Sequence, residues 1–241
     1  MICWSGCWPS WTNWTAGPDP EAIPMSCCCI PRADTNRFFS RLAGLHRLRF
    51  RWFGFEKSQR QLIAAVQSAG IEGASLLEVG CGVGHLHRHL LTQGAWKATG
   101  VDLSVGMLEQ ARREALAAGL EDRTIYYPGD FVELAPSLEE ADIAILDKVV
   151  CCYPDPETLL NATLDRTRRA IALTYPRDRR LTRAGVAVLA RLLKLAGSDF
   201  RPWVHDPRAI RGWIEARGFQ RQEPVPTTAV WQTELYLRPA Q

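Results

Sequence analysis

The stretch LLEVGCGVG, residues 76–84, decides the fold. It begins as a short, mostly apolar run typical of a buried strand, and it ends with a glycine at every second position. The following stretch, HLHRHLL at residues 85–91, has the pattern of a helix start. A strand, a tight turn and a helix N-terminus are therefore predicted in succession. Because glycine has no Cβ atom, such a turn lets a ligand lie against backbone N–H groups.

An aspartate, Asp102, ends the next apolar run, residues 98–102. A carboxylate at the end of this strand can accept hydrogen bonds from ribose hydroxyls. The dinucleotide fingerprint spaces its glycines as G-x-G-x-x-G and holds a pyrophosphate, whereas here the glycines alternate and follow Glu78. Glu78 would repel a pyrophosphate, but it suits a ligand that carries an amino group and a sulfonium. The pattern therefore favours a nucleoside with a cationic tail.

The glycine pattern resembles motif I of the class I S-adenosylmethionine-dependent methyltransferases. Three later stretches resemble the next motifs of that family in the same order, namely residues 102–108, 129–131 and 141–147. In the family these carry the ribose-binding acid, an acid that meets the adenine amino group, and a strand whose end faces the methyl group. The resemblance implies a Rossmann-like α/β fold with a seven-stranded, mostly parallel sheet, helices on both faces and an antiparallel final strand.

The resemblance also implies which residues hold S-adenosylmethionine. Glu78 and the glycine-turn N–H groups would hold the methionine end, Asp102 the ribose, and Asp130 with the Phe131 backbone the adenine. Helix capping is the other role open to Glu78 and Asp130, and neither role excludes the other. The predicted cofactor set is Glu78, Gly80, Cys81, Gly82, Gly84, Asp102, Leu103, Ser104, Met107, Gly129, Asp130, Phe131 and Asp147.

The acceptor site is predicted where the fourth strand ends, in the stretch DKVVCCYPD at residues 147–155. Ligands of open α/β sheets bind outside the carboxyl ends of the strands. We therefore take Asp147, Cys151 and Tyr153 as candidate catalytic residues, with His205 as a further candidate from a distant loop. The stretch lacks both the Pro-Pro-aromatic box of amino-methylating DNA enzymes and the Pro-Cys nucleophile of cytosine-5 enzymes, so no nucleic-acid substrate is expected.

The same stretch resembles the magnesium-protoporphyrin O-methyltransferases. The resemblance rests on Asp147 followed by an apolar pair and Tyr-Pro, on TYPR at residues 174–177, and on a basic N-terminal segment. Where that subgroup has a histidine before the Tyr-Pro, this chain has Cys151 and Cys152. The base of that subgroup is therefore missing, and His205 is the residue that could substitute for it.

Three functions remain open from the sequence. The leading hypothesis is a methyltransferase for a small-molecule oxygen or nitrogen acceptor. The second is a thiol-dependent methyltransferase for arsenic or another soft acceptor, suggested by the cysteines at 27–29, 151 and 152 because thiolates bind soft ions. The third is a non-catalytic S-adenosylmethionine-binding protein. No metal site is predicted, because alternate histidines at 85, 87 and 89 cannot converge on one helix face.

The chain of 241 residues fits one α/β domain. Residues 1–34 are predicted to be disordered or an upstream extension of the true reading frame, with a tryptophan-rich binding arm as the alternative, because the tryptophans at 4, 8, 11 and 14 stand among small polar residues and residues 1–24 have no apolar period. Residues 35–241 are predicted to form the methyltransferase domain, with a helical lid at 35–70. Residues 35–55 contain arginines and no acid, which suggests either contact with a membrane or an anionic substrate or a cap helix packed on the domain.

Composition excludes few other functions. A net charge of +3 requires no nucleic-acid partner, and no apolar run reaches the roughly 20 residues that span a bilayer. The N-terminus lacks the basic residues of a signal or transit peptide, so a cytoplasmic location is expected. A further helix is predicted at residues 156–168, and another at residues 184–196 whose apolar side is expected to pack in the core.

Overall fold

The computed structural model describes residues 50, 52–198 and 200–239. The predicted extension at residues 1–34 and most of the basic segment at residues 35–55 lie outside the described residues. The hypotheses about these segments therefore remain predictions.

The described residues contain one seven-stranded sheet in the order β3-β2-β1-β4-β5-β7-β6. Strands β1 to β5 run parallel, and β7 pairs antiparallel with both β5 and β6. This arrangement confirms the predicted Rossmann-like fold. The strands are β1 (Ser75–Val79), β2 (Lys97–Asp102), β3 (Thr124–Pro128), β4 (Ala141–Asp147), β5 (Thr167–Pro176), β6 (Gln220–Arg221) and β7 (Trp231–Leu237).

Seven α-helices lie in the described part of the chain. Four of them begin after a residue whose side chain accepts a backbone hydrogen bond; Ser104, for example, accepts one from the Met107 N–H and so satisfies a free donor of the first turn. The helices are α1 (Lys57–Ser68), α2 (His85–Thr92), α3 (Val105–Ala117), α4 (Phe131–Leu134), α5 (Pro156–Leu164), α6 (Arg180–Leu195) and α7 (Pro207–Ala216). None of these helices is long and apolar enough to cross a bilayer.

The core lies on both faces of the sheet, because side chains of a strand alternate between the two faces. On one face, Leu77 and Leu146 pack in a cluster with residues of α5 and α7. On the other face, Leu76 and Ile145 pack in a cluster with residues of α1 and α2. The central strands β1 and β4 are therefore covered on both sides, which fixes the position of their carboxyl ends.

The boundary between α5 and β5 was predicted wrongly. The helix ends at Leu164 rather than residue 168, and β5 begins at Thr167, inside the range predicted as helix. Thr167 pairs with Ala141 at the start of β4, and the Ala141 N–H donates to the Arg166 carbonyl. The last residues of the predicted helix therefore belong to β5, because pairing with β4 overrides local helix propensity.

Helix α6 forms where a helix was predicted, but its expected packing was wrong. Thr182 is the buried residue of this helix, whereas Leu181 and Leu195 are 87% and 85% exposed. The two core clusters are filled by α1 and α2 on one face and by α5 and α7 on the other. Among the described residues both faces of the sheet are therefore covered by other helices, and the apolar side of α6 remains exposed.

Candidate active site

The glycine turn follows β1 at the carboxyl edge of the sheet. Gly80, Gly82 and Gly84 have φ angles of 65°, 54° and 73°, which glycine adopts at little cost. The Gly80 N–H donates to the Val101 carbonyl at 2.7 Å and so ties the turn to β2. A Cβ atom at Gly80 would overlap the Val149 side chain, whereas nothing lies within 4 Å of one at Gly82. The turn is therefore packed at Gly80 and open at Gly82.

Asp102 at the end of β2 holds this turn in place. Its Oδ2 atom accepts a hydrogen bond from the Gly82 N–H at 2.8 Å, and its Oδ1 atom accepts one from the Ser104 N–H at 2.8 Å. Burial raises the pKa of Asp102, and these two hydrogen bonds act in the opposite direction. The residue predicted to hold a ribose thus also links the glycine turn to the start of α3.

Glu78 is anchored by His87, which was considered from the sequence only as a metal ligand and not as part of this site. His87 Nδ1 lies 2.5 Å from Glu78 Oε2, and the His87 backbone N–H donates to the same oxygen at 3.2 Å. The Tyr126 hydroxyl lies 2.8 Å from His87 Nε2, and burial raises the pKa of Tyr126 to about 12. The available signal was the spacing of His87 from Leu90 and Leu91, which places it on the apolar side of α2.

A cavity of about 350 Å³ lies at this edge of the sheet. Its lining includes eleven of the predicted site residues, which are Glu78, Gly80, Cys81, Gly82, Asp102, Leu103, Met107, Gly129, Phe131, Asp147 and Tyr153. It also includes residues that were not predicted, among them Phe50, Glu56, Gln59, Lys148 and Cys152. The sequence therefore located most of the strand-end lining but not the part supplied by α1 and the residues before it.

Three predicted cofactor residues, Gly84, Ser104 and Asp130, do not line this cavity among the described residues. Asp130 caps α4, because its Oδ1 atom accepts a hydrogen bond from the Val132 N–H at 2.9 Å. The Tyr153 hydroxyl donates to the same oxygen at 2.5 Å. Asp130 and Ser104 thus do not line the cavity; they cap the helices that follow the strand ends at the cavity.

Two candidate catalytic residues, Cys151 and His205, also lie outside the lining. Cys151 is 6% exposed and belongs to the core. His205 Nε2 lies 2.9 Å from the Tyr153 carbonyl oxygen, and burial lowers the pKa of His205. His205 therefore contacts the backbone of the segment that carries Tyr153 and does not face the cavity.

Asp147 brings a carboxylate to the cavity at the end of β4. Its Oδ2 atom accepts a hydrogen bond from Gln59 Nε2 at 3.0 Å and lies 3.8 Å from Lys148 Nζ. Lys148 Nζ in turn lies 3.2 Å from Glu56 Oε1. The Asp147 Oδ1 atom is buried and has no hydrogen-bond partner among the described residues, and burial raises the pKa of Asp147.

The charges that line the cavity are mostly negative. The described lining holds four carboxylates, from Glu56, Glu78, Asp102 and Asp147, and one amino group, from Lys148. Such a cavity favours a cation and repels a pyrophosphate. A nucleoside with a sulfonium and an ammonium group fits both the open glycine turn and this charge. In that fit Asp102 would hold the ribose and Glu78 would face the cationic end.

The sheet order, the glycine turn and the acidic cavity together define a Rossmann-like enzyme that binds a cationic nucleoside. The profile of the family described as "Methyltransferase domain" matches residues 76–172. The chain is also 30% identical over 173 residues to a ubiquinone biosynthesis O-methyltransferase of Pasteurella multocida, covering 63% of this chain and 67% of the relative. This chain belongs to the class I S-adenosylmethionine-dependent methyltransferases, and the predicted cofactor, S-adenosylmethionine, is confirmed.

Two further comparisons agree with this assignment. A ubiquinone biosynthesis O-methyltransferase of Xanthomonas axonopodis pv. citri is 26% identical over 200 residues, covering 72% of this chain and 77% of the relative. The crystal structure of a magnesium protoporphyrin IX methyltransferase from Synechocystis PCC 6803 matches with a TM-score of 0.66 at 20% identity, covering 86% of this chain and 99% of that chain. The structural match supports the fold.

The packing at Gly80 generates a prediction with an internal control. Gly80 and Gly119 have φ angles of 65° and 64°, so an alanine costs about 1–2 kcal/mol of backbone strain at either position. Only at Gly80 would the new Cβ also meet Val149; nothing lies within 4 Å at Gly119. We expect Gly80→Ala to weaken S-adenosylmethionine binding strongly in calorimetric titration, and Gly119→Ala to leave binding unchanged. Equal binding by both variants would contradict this account.

Asp102 generates a second prediction. We expect Asp102→Ala to remove charge-assisted hydrogen bonds to the ribose, each of which contributes about 1.5–3 kcal/mol, and to free the glycine turn. The matched control is Asp142→Ala, because Asp142 also accepts two hydrogen bonds, from the N–H and hydroxyl of Ser75, at the opposite end of the sheet. An S-adenosylmethionine dissociation constant that Asp102→Ala leaves unchanged would rule out a ribose contact.

Proposed function

We propose that this methyltransferase acts on a small molecule with an oxygen or nitrogen acceptor, and that a hydroxyl is the favoured acceptor. The proposal rests on Asp147, whose Oδ1 atom is buried at the cavity and has no hydrogen-bond partner among the described residues. A buried carboxylate oxygen without a partner is costly. An acceptor O–H or N–H that donates to it would offset that cost.

Asp147 is also suited to receive the proton that a hydroxyl acceptor loses. Burial raises its pKa, which makes the carboxylate a stronger base. Gln59 holds the other carboxylate oxygen and so orients the group. When bound, S-adenosylmethionine supplies an electrophilic methyl group on sulfur. Asp147 would accept the acceptor proton as the acceptor oxygen bonds to that methyl carbon, while the sulfur retains the electron pair of the broken bond.

The names of the curated relatives also support an oxygen acceptor. The curated relatives from Pasteurella multocida and Xanthomonas axonopodis are named O-methyltransferases. The described residues that line the cavity beside Asp147 include Phe50 and Val149, so the acceptor side is partly apolar. A hydroxyl on a largely apolar small molecule matches both features.

We also propose that α1 and the residues just before it form the lid of this site, as predicted for residues 35–70. Phe50, Glu56 and Gln59 all line the cavity. The Phe50 ring stacks on His85 with centroids 3.7 Å apart. Lys148 holds Glu56, the N-cap of α1, by an ion pair. These contacts support a segment that covers the acceptor side of the cavity.

The soft-acceptor hypothesis is disfavoured by the state of the two thiols. Both Cys151 Sγ and Cys152 Sγ donate to the Lys148 carbonyl oxygen. The hydrogen bond with Cys151, together with burial, raises the pKa of Cys152 well above its ordinary value. The thiolate is the form that attacks and that binds soft ions, so the raised pKa of Cys152 disfavours this role. The cysteines at 27–29 lie outside the described residues.

The role of Asp147 generates a third prediction. Asp147→Asn keeps the shape of the side chain but removes the base, so we expect methyl transfer to fall about a hundredfold or more while S-adenosylmethionine binding is retained. The assay is transfer of a labelled methyl group to a panel of phenols, catechols and amines. Glu139→Gln, an exposed acid before β4, is the control.

The pH dependence follows from the same carboxylate. A protonated carboxyl cannot accept a proton, so kcat/KM should fall as the pH falls through the raised pKa of Asp147. The acid limb should therefore lie above the ordinary range of a carboxyl group. If Asp147→Asn abolished cofactor binding instead of turnover, Asp147 would be a cofactor ligand and the proposed base would be wrong.

The two cysteines generate a fourth prediction. We expect replacement of both Cys151 and Cys152 by Ser to leave S-adenosylmethionine binding intact and to change turnover only through the shape of the cavity. The measurement compares methyl transfer to the organic panel with arsenite-dependent consumption of S-adenosylmethionine. Arsenite-dependent consumption by the natural chain, lost in the double variant, would establish the soft-acceptor function instead.

A further inference from the structure

Helix α6 presents a continuous apolar stripe to solvent. Leu181, Val188, Leu192 and Leu195 are 87%, 53%, 58% and 85% exposed. They are separated by seven, four and three residues, which places them along one side of the helix. Contiguous apolar surface of this kind marks an interaction site rather than ordinary surface.

Every charged side chain of α6 is positive. The helix carries Arg180, Arg183, Arg191 and Lys194 and contains no acidic residue. The two pairs lie eleven residues apart, which is close to three helical turns, so they form a row beside the apolar stripe. Arg183 pairs with Asp178 just before the helix. The remaining three cations face no acid among the ion pairs of the described residues.

The stripe lies on the side of α6 that faces away from the domain. The residues of α6 that are buried or half-buried, including Thr182, Val186 and Leu193, share a different side of the helix. The apolar stripe and the three cations other than Arg183 are therefore available to a partner. An amphipathic helix with an apolar face beside a basic face is typical of binding in the plane of a membrane surface.

Helix α6 begins close to the active-site edge of the sheet. Thr174 of β5 pairs with Asp147, and α6 begins only four residues after the last residue of β5, Pro176. Trp52 and Phe53, which are 73% and 81% exposed, lie between two residues that line the cavity. Tryptophan and phenylalanine are the aromatic residues that such helices insert at the lipid boundary.

We propose that α6 docks this protein on the surface of an anionic lipid bilayer. The apolar stripe would enter the boundary between headgroups and acyl chains, and the cationic row would lie over the anionic headgroups. A row of positive charges beside a straight apolar stripe is complementary to such a bilayer, because its acyl chains are apolar and the headgroups above them are anionic. The surface is independent of the proposed methyl acceptor, since it involves none of the cavity residues.

The test is co-sedimentation of the full chain with vesicles of phosphatidylcholine and phosphatidylglycerol in about equal amounts, compared with phosphatidylcholine alone. We expect binding to the anionic vesicles that weakens as ionic strength rises to about 1 M. Arg191→Gln with Lys194→Gln should weaken binding about fivefold for each cation removed. Val188→Ser with Leu192→Ser should weaken it about tenfold or more.

The matched control changes another exposed helix. Arg113→Gln with Leu116→Ser removes an exposed cation and an exposed leucine from α3, and vesicle binding should be unchanged. Circular dichroism melts check that every variant is folded. Three outcomes would overturn the proposal: no binding by the full chain, equal binding to neutral vesicles, or a dimer of the natural chain that the Val188 and Leu192 changes dissociate. The last would show that a second copy covers the stripe.

Discussion

Four carboxylates line one cavity at the carboxyl ends of the parallel strands, and the surrounding residues must offset the repulsion among them. Glu78 is held by His87, Asp102 by two backbone N–H groups, and Asp147 by Gln59. Lys148 is the cation among the described residues of the cavity lining. The acids are thus fixed in place by hydrogen bonds and by one lysine, and the excess of carboxylates over amino groups in the lining suits a cationic ligand.

The sequence predicted the fold because its strongest signals are local. The alternate glycines and the acid ending β2 depend on residues close together in the chain, and turn and capping chemistry act over the same short range. The contact between Gln59 and Asp147 joins residues 88 positions apart. No local pattern marks such a pair. The same reason explains why the cavity lining from α1 became visible only in the structure.

Helix α6 shows a different limit of sequence reasoning. The period of its apolar residues correctly indicated a helix, but a period states only that one side is apolar and not what covers that side. The sheet faces were already occupied by α1, α2, α5 and α7. Whether a core has room for another helix is a property of the whole packing arrangement, and it cannot be read from the helix itself.

The ion pair between Lys148 and Glu56 gives the site a built-in counter-ion. Lys148 lies between the carboxylates of Glu56 and Asp147, so any cation that approaches these groups competes with it for the same negative charge. Because Glu56 is the N-cap of α1, a change in the ion pair between Lys148 and Glu56 affects the start of that helix. The charge of a ligand and the start of α1 therefore depend on one shared electrostatic interaction, so binding of a cation in the cavity and the stability of the first turn of α1 are thermodynamically linked.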